Sequence, residues 1–448
     1  MTGGPASDTI FALSSGRGRA GVAVLRLSGP RAGAALQAIA GGKLPEPRFA
    51  AFRRLRNPST DETLDRALAL WFPGPRSETG EDMAEFHLHG GPAVVAGVAD
   101  ALGALEGLRP AEPGEFTRRA FLNGKLDLTA VEGLADLVAA ETAAQRRQAL
   151  RQMDGALLKL YEDWRSRLIR ALALVETGID FSEEEVPADV AEGGRALAES
   201  LAAAIDAHLA DGRRGEILRA GVSVAIVGPP NAGKSTLLNR LTRRDAAIVS
   251  PIAGTTRDVI EVDLDLDGFP VRIADTAGLR GTLDAIEAEG VRRARRRAEQ
   301  ADLVVVVLDA TRWPELDAET AAALVPEALV LVNKTDCRAV PEGAQVQGLA
   351  AMPLSLATGE GFEAARAAIA ARVRALSDSG SAPVLTRARH RAALEAARDA
   401  LARVRGAPGI ELAAEDLRLA ARALGRITGR VEVDEILDVI FRDFCIGK

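Results

Sequence analysis

The sequence predicts a multi-domain α/β protein in which an N-terminal α+β unit precedes an all-α domain interrupted by an inserted parallel-sheet domain. Three observations predict it. At 448 residues the chain is too long for one ordinary core, which favours two or three domains. Its character also changes along its length. β-like runs punctuated by Gly and Pro extend to about residue 120, and an Ala-, Leu-, Arg- and Glu-rich helical pattern runs from Leu126 to about Ala220. Apolar strands then alternate with helical segments from Gly221 to about Leu376. Finally, helical pattern returns after Pro383, so a helical domain split by an insertion is the simplest architecture. The segments are drawn as 1–122, 123–220, 221–378 and 379–448, the second and fourth forming one discontinuous domain.

In the first segment, Val22-Ala-Val-Leu-Arg-Leu27 reads as a strand. In the second, Met153, Leu157, Leu160, Trp164, Leu168, Ala171 and Val175 recur at helical spacing and are expected as the core of long helices. Asp180-Phe-Ser-Glu-Glu-Glu185, before Pro187, reads as a helix break and a solvated turn. In the third, Val222 to Val227 and Leu303 to Leu308 are continuous apolar runs of the kind buried in a parallel sheet. Apolar residues make up 47% of the chain without an uninterrupted run of membrane-spanning length, and the start MTGGPASDTI has no basic-then-apolar signal. A cytoplasmic protein with no stable membrane anchor is expected. Two distant cysteines, Cys337 and Cys445, give neither a disulfide framework nor paired zinc-ligand spacing. The net charge of -7 argues against broad electrostatic capture of nucleic acid and leaves room for a local basic face.

The inserted segment carries the chemistry. Gly228-Pro-Pro-Asn-Ala-Gly-Lys-Ser235 follows an apolar strand and precedes the helix-like Thr236-Leu-Leu-Asn-Arg-Leu241. Its glycines let backbone N–H groups of Asn231, Ala232, Gly233 and their neighbours converge on phosphates, Lys234 supplies a charge, and Ser235 can ligate Mg²⁺. Asp275-Thr276-Ala277-Gly278 places a carboxylate at a strand tip beside the metal and a γ-phosphate-sensing amide at Gly278. Asn333-Lys334-Thr-Asp336 ends a further strand, where one carboxylate can accept both guanine donors, a pair that adenine does not offer. These three motifs in this order predict a Ras-like P-loop G domain that binds GTP. Between the first two lies Ser250-Pro251-Ile252-Ala253-Gly254-Thr255-Thr256, a candidate switch in which Thr256 is either a second Mg²⁺ ligand or part of a Gly-Thr turn. The position after the second motif, where many GTPases hold a water-orienting Gln, is Leu279. Glu287 is the nearest suitable acid, or else a helix N-terminal carboxylate.

Beyond these motifs, the chain resembles the MnmE (TrmE) family of tRNA modification GTPases along essentially its whole length. The likeness rests on Gly16-Arg-Gly18, Arg26-Leu-Ser-Gly29, Thr79-Gly-Glu-Asp82, His89-Gly-Gly91, Pro113-Gly-Glu-Phe-Thr117, Ala120-Phe-Leu-Asn123 and Lys125-Leu-Asp-Leu128. It continues through Asn231, Ile252-Ala-Gly-Thr-Thr-Arg-Asp258 and Phe444-Cys-Ile-Gly-Lys448. The resemblance implies an N-terminal folate-binding-like domain that forms a homodimer, and a partner of the FAD-binding MnmG type in a heterotetramer or larger complex. It implies modification of the wobble uridine of certain tRNAs with 5,10-methylenetetrahydrofolate, of which 5-formyltetrahydrofolate is an analogue, as one-carbon donor. It implies K⁺ held by Asn231, Ser250, Ile252 and Thr255, water orientation by Glu287, and folate contacts at Arg26, Glu85, Lys125 and Lys448. A GTP-dependent ribosome-assembly switch is the alternative that the G motifs alone allow.

The chain departs from the family pattern at Ser355-Leu356-Ala357, where a Ser-Ala-Lys guanine loop is expected, and at His87, where an amide side chain is usual. His87 and His89 share a strand face, a weak metal signal. Arg292, Arg293, Arg295, Arg296 and Arg297 read as a solvated helix face, with a phosphate-contact role as the alternative. At the C-terminus, Cys445-Ile-Gly-Lys448 has the outline of a prenylation signal with an unusual last residue. A frayed tail and a tail built into a site are the other readings, and the apolar spacing Ile436, Leu437, Ile440, Phe441, Phe444 favours the last.

Overall fold

The computed structural model describes residues 8–180, 189–245, 261–275, 298–378, 380, 382–431, 437, 440–441, 444 and 446–447. The chain forms two compact units, Met1–Ala135 with Gly425–Lys448, and Asp136–Leu424.

In unit one, β1 (Thr9–Leu13), β2 (Ala20–Ser28), α1 (Ala32–Ala40), β3 (Ala51–Arg56), β4 (Thr63–Phe72), β5 (Met83–Gly90), α2 (Pro92–Gly103), β6 (Leu108–Pro110) and α3 (Glu115–Leu122) follow one another. The strands make one sheet in the order β3-β4-β5-β2-β1-β6, antiparallel except for the β1–β6 pair. Side chains alternate across a strand, so Leu25 and Leu27 face the helices while Arg26 faces away. Leu36 and Ile39 of α1 and Val98 and Leu102 of α2 close the core over Leu25, Leu27, Phe86 and Leu88. The opposite face carries Arg26, Glu85 and His87, placed in cross-strand register by the pairs Arg26↔Glu85 and Val24↔His87.

The C-terminus packs in the same unit. Leu437, Phe441 and Phe444 are buried with Leu128 and Val131 of α4 (Leu128–Ala139). Gly114, at a left-handed φ of 67°, lets the chain pass against Phe441, since a β-carbon there would lie 2.7 Å from the Phe441 carbonyl. Ile446 then bridges Pro113, and Gly447 lies on Leu13 and Ser14. The frayed reading of the tail is thereby replaced by a docked one.

Unit two opens with α5 (Ala143–Met153), α6 (Ala156–Asp180), α7 (Asp189–Leu209) and α8 (Arg214–Ala220). The α6 stripe Leu157, Trp164, Leu168, Ala171 and Val175 is buried as the spacing predicts, with Tyr161 in place of Leu160. Met153 instead ends α5, because the chain turns at Gly155, whose φ is 83°. The acidic stretch after Asp180 lies outside the described residues. The insertion follows as β7 (Val222–Val227), α9 (Lys234–Arg244), β8 (Glu261–Leu266), β9 (Phe269–Asp275), β10 (Leu303–Asp309), β11 (Leu329–Asn333), β12 (Gln345–Val346), β13 (Leu349–Pro353) and the helix Phe362–Ser377. Among the described residues its sheet runs β12-β13-β11-β10-β7-β9-β8, parallel at its centre with antiparallel edges. The helix Ala388–Gly406 then packs on α7, and α7 on α6, so helices from both sides of the insertion share one bundle. Among the described residues, no helix is long and apolar enough to cross a membrane.

Candidate functional site

The phosphate loop leaves β7 where the sheet switches direction, with β9 on one side and β10 on the other, the usual position of a ligand crevice in an open α/β sheet. Gly228 and Gly233 are required there. A β-carbon on Gly228 would lie 2.1 Å from the Val307 carbonyl, and one on Gly233 would lie 2.2 Å from the Asn333 amide. Asn231 takes a left-handed φ of 61°. Its side chain is exposed at the loop and has no hydrogen-bond partner among the described residues. Lys234 donates to the Gly228 and Pro229 carbonyls at 2.6 and 2.9 Å, which holds its ammonium over the loop. Ser235 and Thr236 are exposed in the first turn of α9, where free N–H groups and the helix dipole favour an anion.

The Asn333–Asp336 motif is set among three adjacent strand ends, those of β10, β11 and β13. The Asn333 side chain donates to the Ala232 carbonyl at 2.8 Å and accepts from the Leu356 amide at 2.9 Å, clamping the phosphate loop to the Ser355-Leu356-Ala357 loop. Ser355 is fully buried and donates to Asp336 at 2.6 Å. That hydrogen bond holds the Asp336 carboxyl below the usual range. Leu356 turns into the core, and Arg240 of α9 reaches the Ala357 carbonyl at 3.3 Å. Lys334 pairs with Asp309 at 2.6 Å. Burial raises the Asp309 pKa, but hydrogen bonds from Lys334 and Thr311 outweigh it and bring the carboxyl below its ordinary value.

Neither the Asn333 clamp nor Asp309 was visible in the motif alone. The available signal was the apolar run Leu303–Asp309 ending in an acid, and the β10–β11 register Asp309↔Asn333 makes it count. β9 brings Asp275 alongside Ile226 of β7. The candidate switch and catalytic residues Ser250, Pro251, Ile252, Ala253, Gly254, Thr255, Thr256, Thr276, Ala277, Gly278, Leu279 and Glu287 lie outside the described residues, as do the arginines 292–297.

In unit one the structure brings Arg26 and Glu85 together at 3.0 Å, and Arg26 also meets Glu78 at 2.8 Å. Glu78 belongs to the β4–β5 loop, to whose Pro75 carbonyl Lys125 donates at 3.0 Å. Asn123 donates to the Thr79 carbonyl at 2.8 Å, and Gly80, at φ 84°, allows that close approach. Behind the loop, Ser28 links Thr79 and Glu81 at 2.7 Å each, and Arg119, only 6% exposed, joins Glu81, Asp8 and Glu115. The tail reaches the same strands. Ser14 donates to the Gly447 carbonyl at 2.8 Å, and the adjoining β1–β2 register sets Leu13 opposite Leu25 and Ala12 opposite Arg26. Lys448 and Cys445 lie outside the described residues.

Of the two histidines, His87 is engaged by Glu85 at 3.1 Å and His89 by Asp65 at 2.8 Å. Among the described residues no group of three or more His, Cys, Asp or Glu side chains is placed to hold a metal.

Comparison with known proteins places this geometry. Residues 9–125 match the family model described as the GTP-binding protein TrmE N-terminus, and residues 128–445 match the MnmE helical domain. A tRNA modification GTPase MnmE of Parvibaculum lavamentivorans is 60% identical over 98% of this chain and 100% of its own length. That of Rhodospirillum rubrum is 57% identical over 98% of this chain and 99% of its own. The human mitochondrial 5-taurinomethyluridine tRNA synthase subunit GTPB3 is 51% identical over 98% of this chain and 93% of its own. With the phosphate-loop and Asn-Lys-Thr-Asp motifs assembled on an inserted sheet, and with likeness along its full length, the chain belongs to the MnmE family and is a GTP-hydrolysing enzyme of tRNA modification.

Proposed function

We propose that this GTPase is potassium-activated and works with an FAD-binding partner of the MnmG type to modify C5 of the wobble uridine, position 34, of certain tRNAs. The group installed is carboxymethylaminomethyl or its aminomethyl counterpart, and 5,10-methylenetetrahydrofolate is the one-carbon donor. The observation that carries the reading is the docking of the chain's last residues in the unit that holds Arg26, Glu85 and Lys125. A G domain that served only as a switch would not need Ile446 and Gly447 docked beside the strands that carry Arg26 and Glu85.

In this reading residues 1–122 bind folate and form the homodimer, 221–378 are the G domain, and 123–220 with 379–448 are the helical domain. The protein acts in the cytoplasm. Glu85 accepts hydrogen bonds from the pterin ring, while Arg26, Lys125 and Lys448 offer cations to the folate glutamate. The donor set fits, because two carboxylates already balance Arg26 and an arriving anion can exchange for one of them.

At the nucleotide, Asp336 reads guanine, Lys334 stands beside it with its ammonium on Asp309, and Lys234 leaves the loop carbonyls for the phosphates. Ser235 and Thr256 hold Mg²⁺, and the unengaged Asn231 amide with Ser250, Ile252 and Thr255 holds K⁺. When bound, the cations neutralise charge on the transferring phosphoryl group. Glu287 orients the attacking water, which the apolar Leu279 does not do.

Mass analysis of wobble nucleosides after deletion of the gene tests the reading. Loss of the modified uridine is expected, and unchanged nucleosides would return the protein to the ribosome-assembly switch.

A further inference from the structure

Strand β3 forms one edge of the unit-one sheet, so the outer rim of its backbone is unpaired within the described chain. Its neighbourhood is strongly basic although the chain as a whole is acidic. Between residues 43 and 56 lie Lys43, Arg48, Arg53, Arg54 and Arg56 against a single acid, Glu46. Phe49 and Phe52 lie between these cations, 62% and 70% exposed. Among the described residues they are the only aromatic side chains in the set of exposed large apolar groups.

On the helix-free face of the sheet, Phe52 stands directly opposite Leu68, and Arg54 directly opposite Arg66. Like charges set opposite one another in an antiparallel pair are destabilising unless an anion lies between them. Neither guanidinium has a side-chain hydrogen bond or ion pair among the described residues. A cavity of about 660 Å³ lies at this edge, between the end of α1 at Gly41 and Gly42 and the β3 residues Phe52, Arg53 and Arg54, with Arg56 held by its one acid, Asp61, at 2.7 Å.

We infer that the β3 edge is an RNA-docking surface, in which Arg54 and Arg66 cradle a backbone phosphate and Phe52, with Phe49, stacks an unpaired base. Exposed rings interleaved with arginines suit single-stranded RNA loops, whose splayed bases stack on aromatic and guanidinium planes while phosphates take the charge. An acidic peptide would satisfy the arginines and leave the two rings in water. The inference rests on the tRNA-modification reading and names where on this chain the RNA is held.

The test uses the full-length protein and a fluorescently labelled, unmodified tRNA transcript, with binding followed by anisotropy across a salt series. Arg54→Ala with Arg66→Ala should weaken binding about tenfold or more and reduce the slope of log affinity against log salt by between about 1 and 2. Phe49→Ala with Phe52→Ala should weaken binding about tenfold at an unchanged slope. Arg54→Ala alone should melt at or above the parent temperature, since it removes an opposed like charge, so a folding defect cannot mimic the result.

Equal RNA affinity in both double variants overturns the surface, and so does a parent that binds no RNA. RNA affinity intact with a changed sedimentation coefficient in the phenylalanine variant also overturns it, and assigns the edge to a second copy of the chain. Failure of the tRNA-modification reading shows separately, as unchanged wobble nucleosides in the deletion strain.

Discussion

Replacing Gly447 by alanine should detach the end of the chain while leaving the rest of unit one folded. Gly447 has φ near 101°, and a β-carbon there would sit 2.2 Å from the Leu13 carbonyl oxygen and 2.9 Å from its carbon. Those are backbone atoms of β1, which β2 and β6 hold on either side, so the tail must yield rather than the strand. Positive φ costs an L-residue roughly 1–2 kcal/mol, and loss of the Ser14 hydrogen bond to the Gly447 carbonyl adds about 1 kcal/mol. The sum, about 2–3 kcal/mol, corresponds to roughly 30- to 150-fold easier opening. The opening should stop at Phe444 and Phe441, whose rings lie 5.9 Å apart and are buried on α4. Hydrogen exchange at the Ile446 and Gly447 amides reads the effect directly. The melting temperature should barely move, whereas Phe441→Ala should destabilise unit one by about 3–5 kcal/mol. If tail and folate share a site, calorimetry with 5-formyltetrahydrofolate should show affinity falling by a similar factor for Gly447→Ala. Exchange at Ile446 within about threefold of the parent would refute the steric reasoning.

Four further outcomes follow from the same geometry. Arg366→Ala should destabilise unit two by about 3 kcal/mol by stranding the Asp245 carboxylate, which is only 4% exposed, and adding Asp245→Asn should recover part of that in urea unfolding. Asp309→Ala frees the Lys334 ammonium and should raise the dissociation constant for GDP about five- to tenfold, with kcat at saturating GTP unchanged. Because the Ser355 hydroxyl lowers the Asp336 pKa, guanine binding that needs the carboxylate should persist above that lowered value and fail as pH falls through it. Ser355→Ala should therefore move the acid limb of the GDP-binding profile upward, and an unmoved limb would sink the assignment. Replacing sodium by potassium should raise GTP turnover, and equal rates would remove the cation from the proposed site.

The fold was legible where a property is carried by consecutive residues. The phosphate loop announced itself because its glycines answer to neighbouring backbone, as the clash distances at Gly228 and Gly233 record. The α6 stripe was legible for the same reason, and the single misplaced member, Met153, failed because a glycine turn interrupts a spacing that sequence alone continues. Asp309 and Arg366 were not legible. Each acts on residues 25 and 121 positions away, through strand register in one case and helix docking in the other. The Ser355-Leu356-Ala357 loop looked deficient from its missing lysine. In the structure Ser355 donates to Asp336 and the Leu356 amide closes the Asn333 clamp, contacts 19 and 23 positions apart in sequence that the motif alone does not show.

These contacts also bear on how a nucleotide event can leave the G domain within unit two. Asp245 caps the C-terminal end of α9, the helix that begins at Lys234. Arg366 holds Asp245 at 2.9 Å and also Asp267, in the turn between β8 and β9. The carbonyl of the next residue, Gly268, accepts from the Ala144 amide at 3.0 Å, and Ala144 lies in the first turn of α5, within its Thr142–Gln145 capping box. One guanidinium thus ties the far end of the phosphate-loop helix to a hairpin whose tip rests on the helical bundle. A shift of α9 that broke the Asp245 pair would leave a carboxylate only 4% exposed unpaired, a cost large enough to favour moving Arg366, and with it the hairpin, along with the helix. Energetic coupling, not proximity, makes this a path. It requires that Arg366→Ala and Ala144→Pro, which removes the amide donor, be non-additive in their effect on GDP affinity. Strict additivity would leave the two contacts as independent packing.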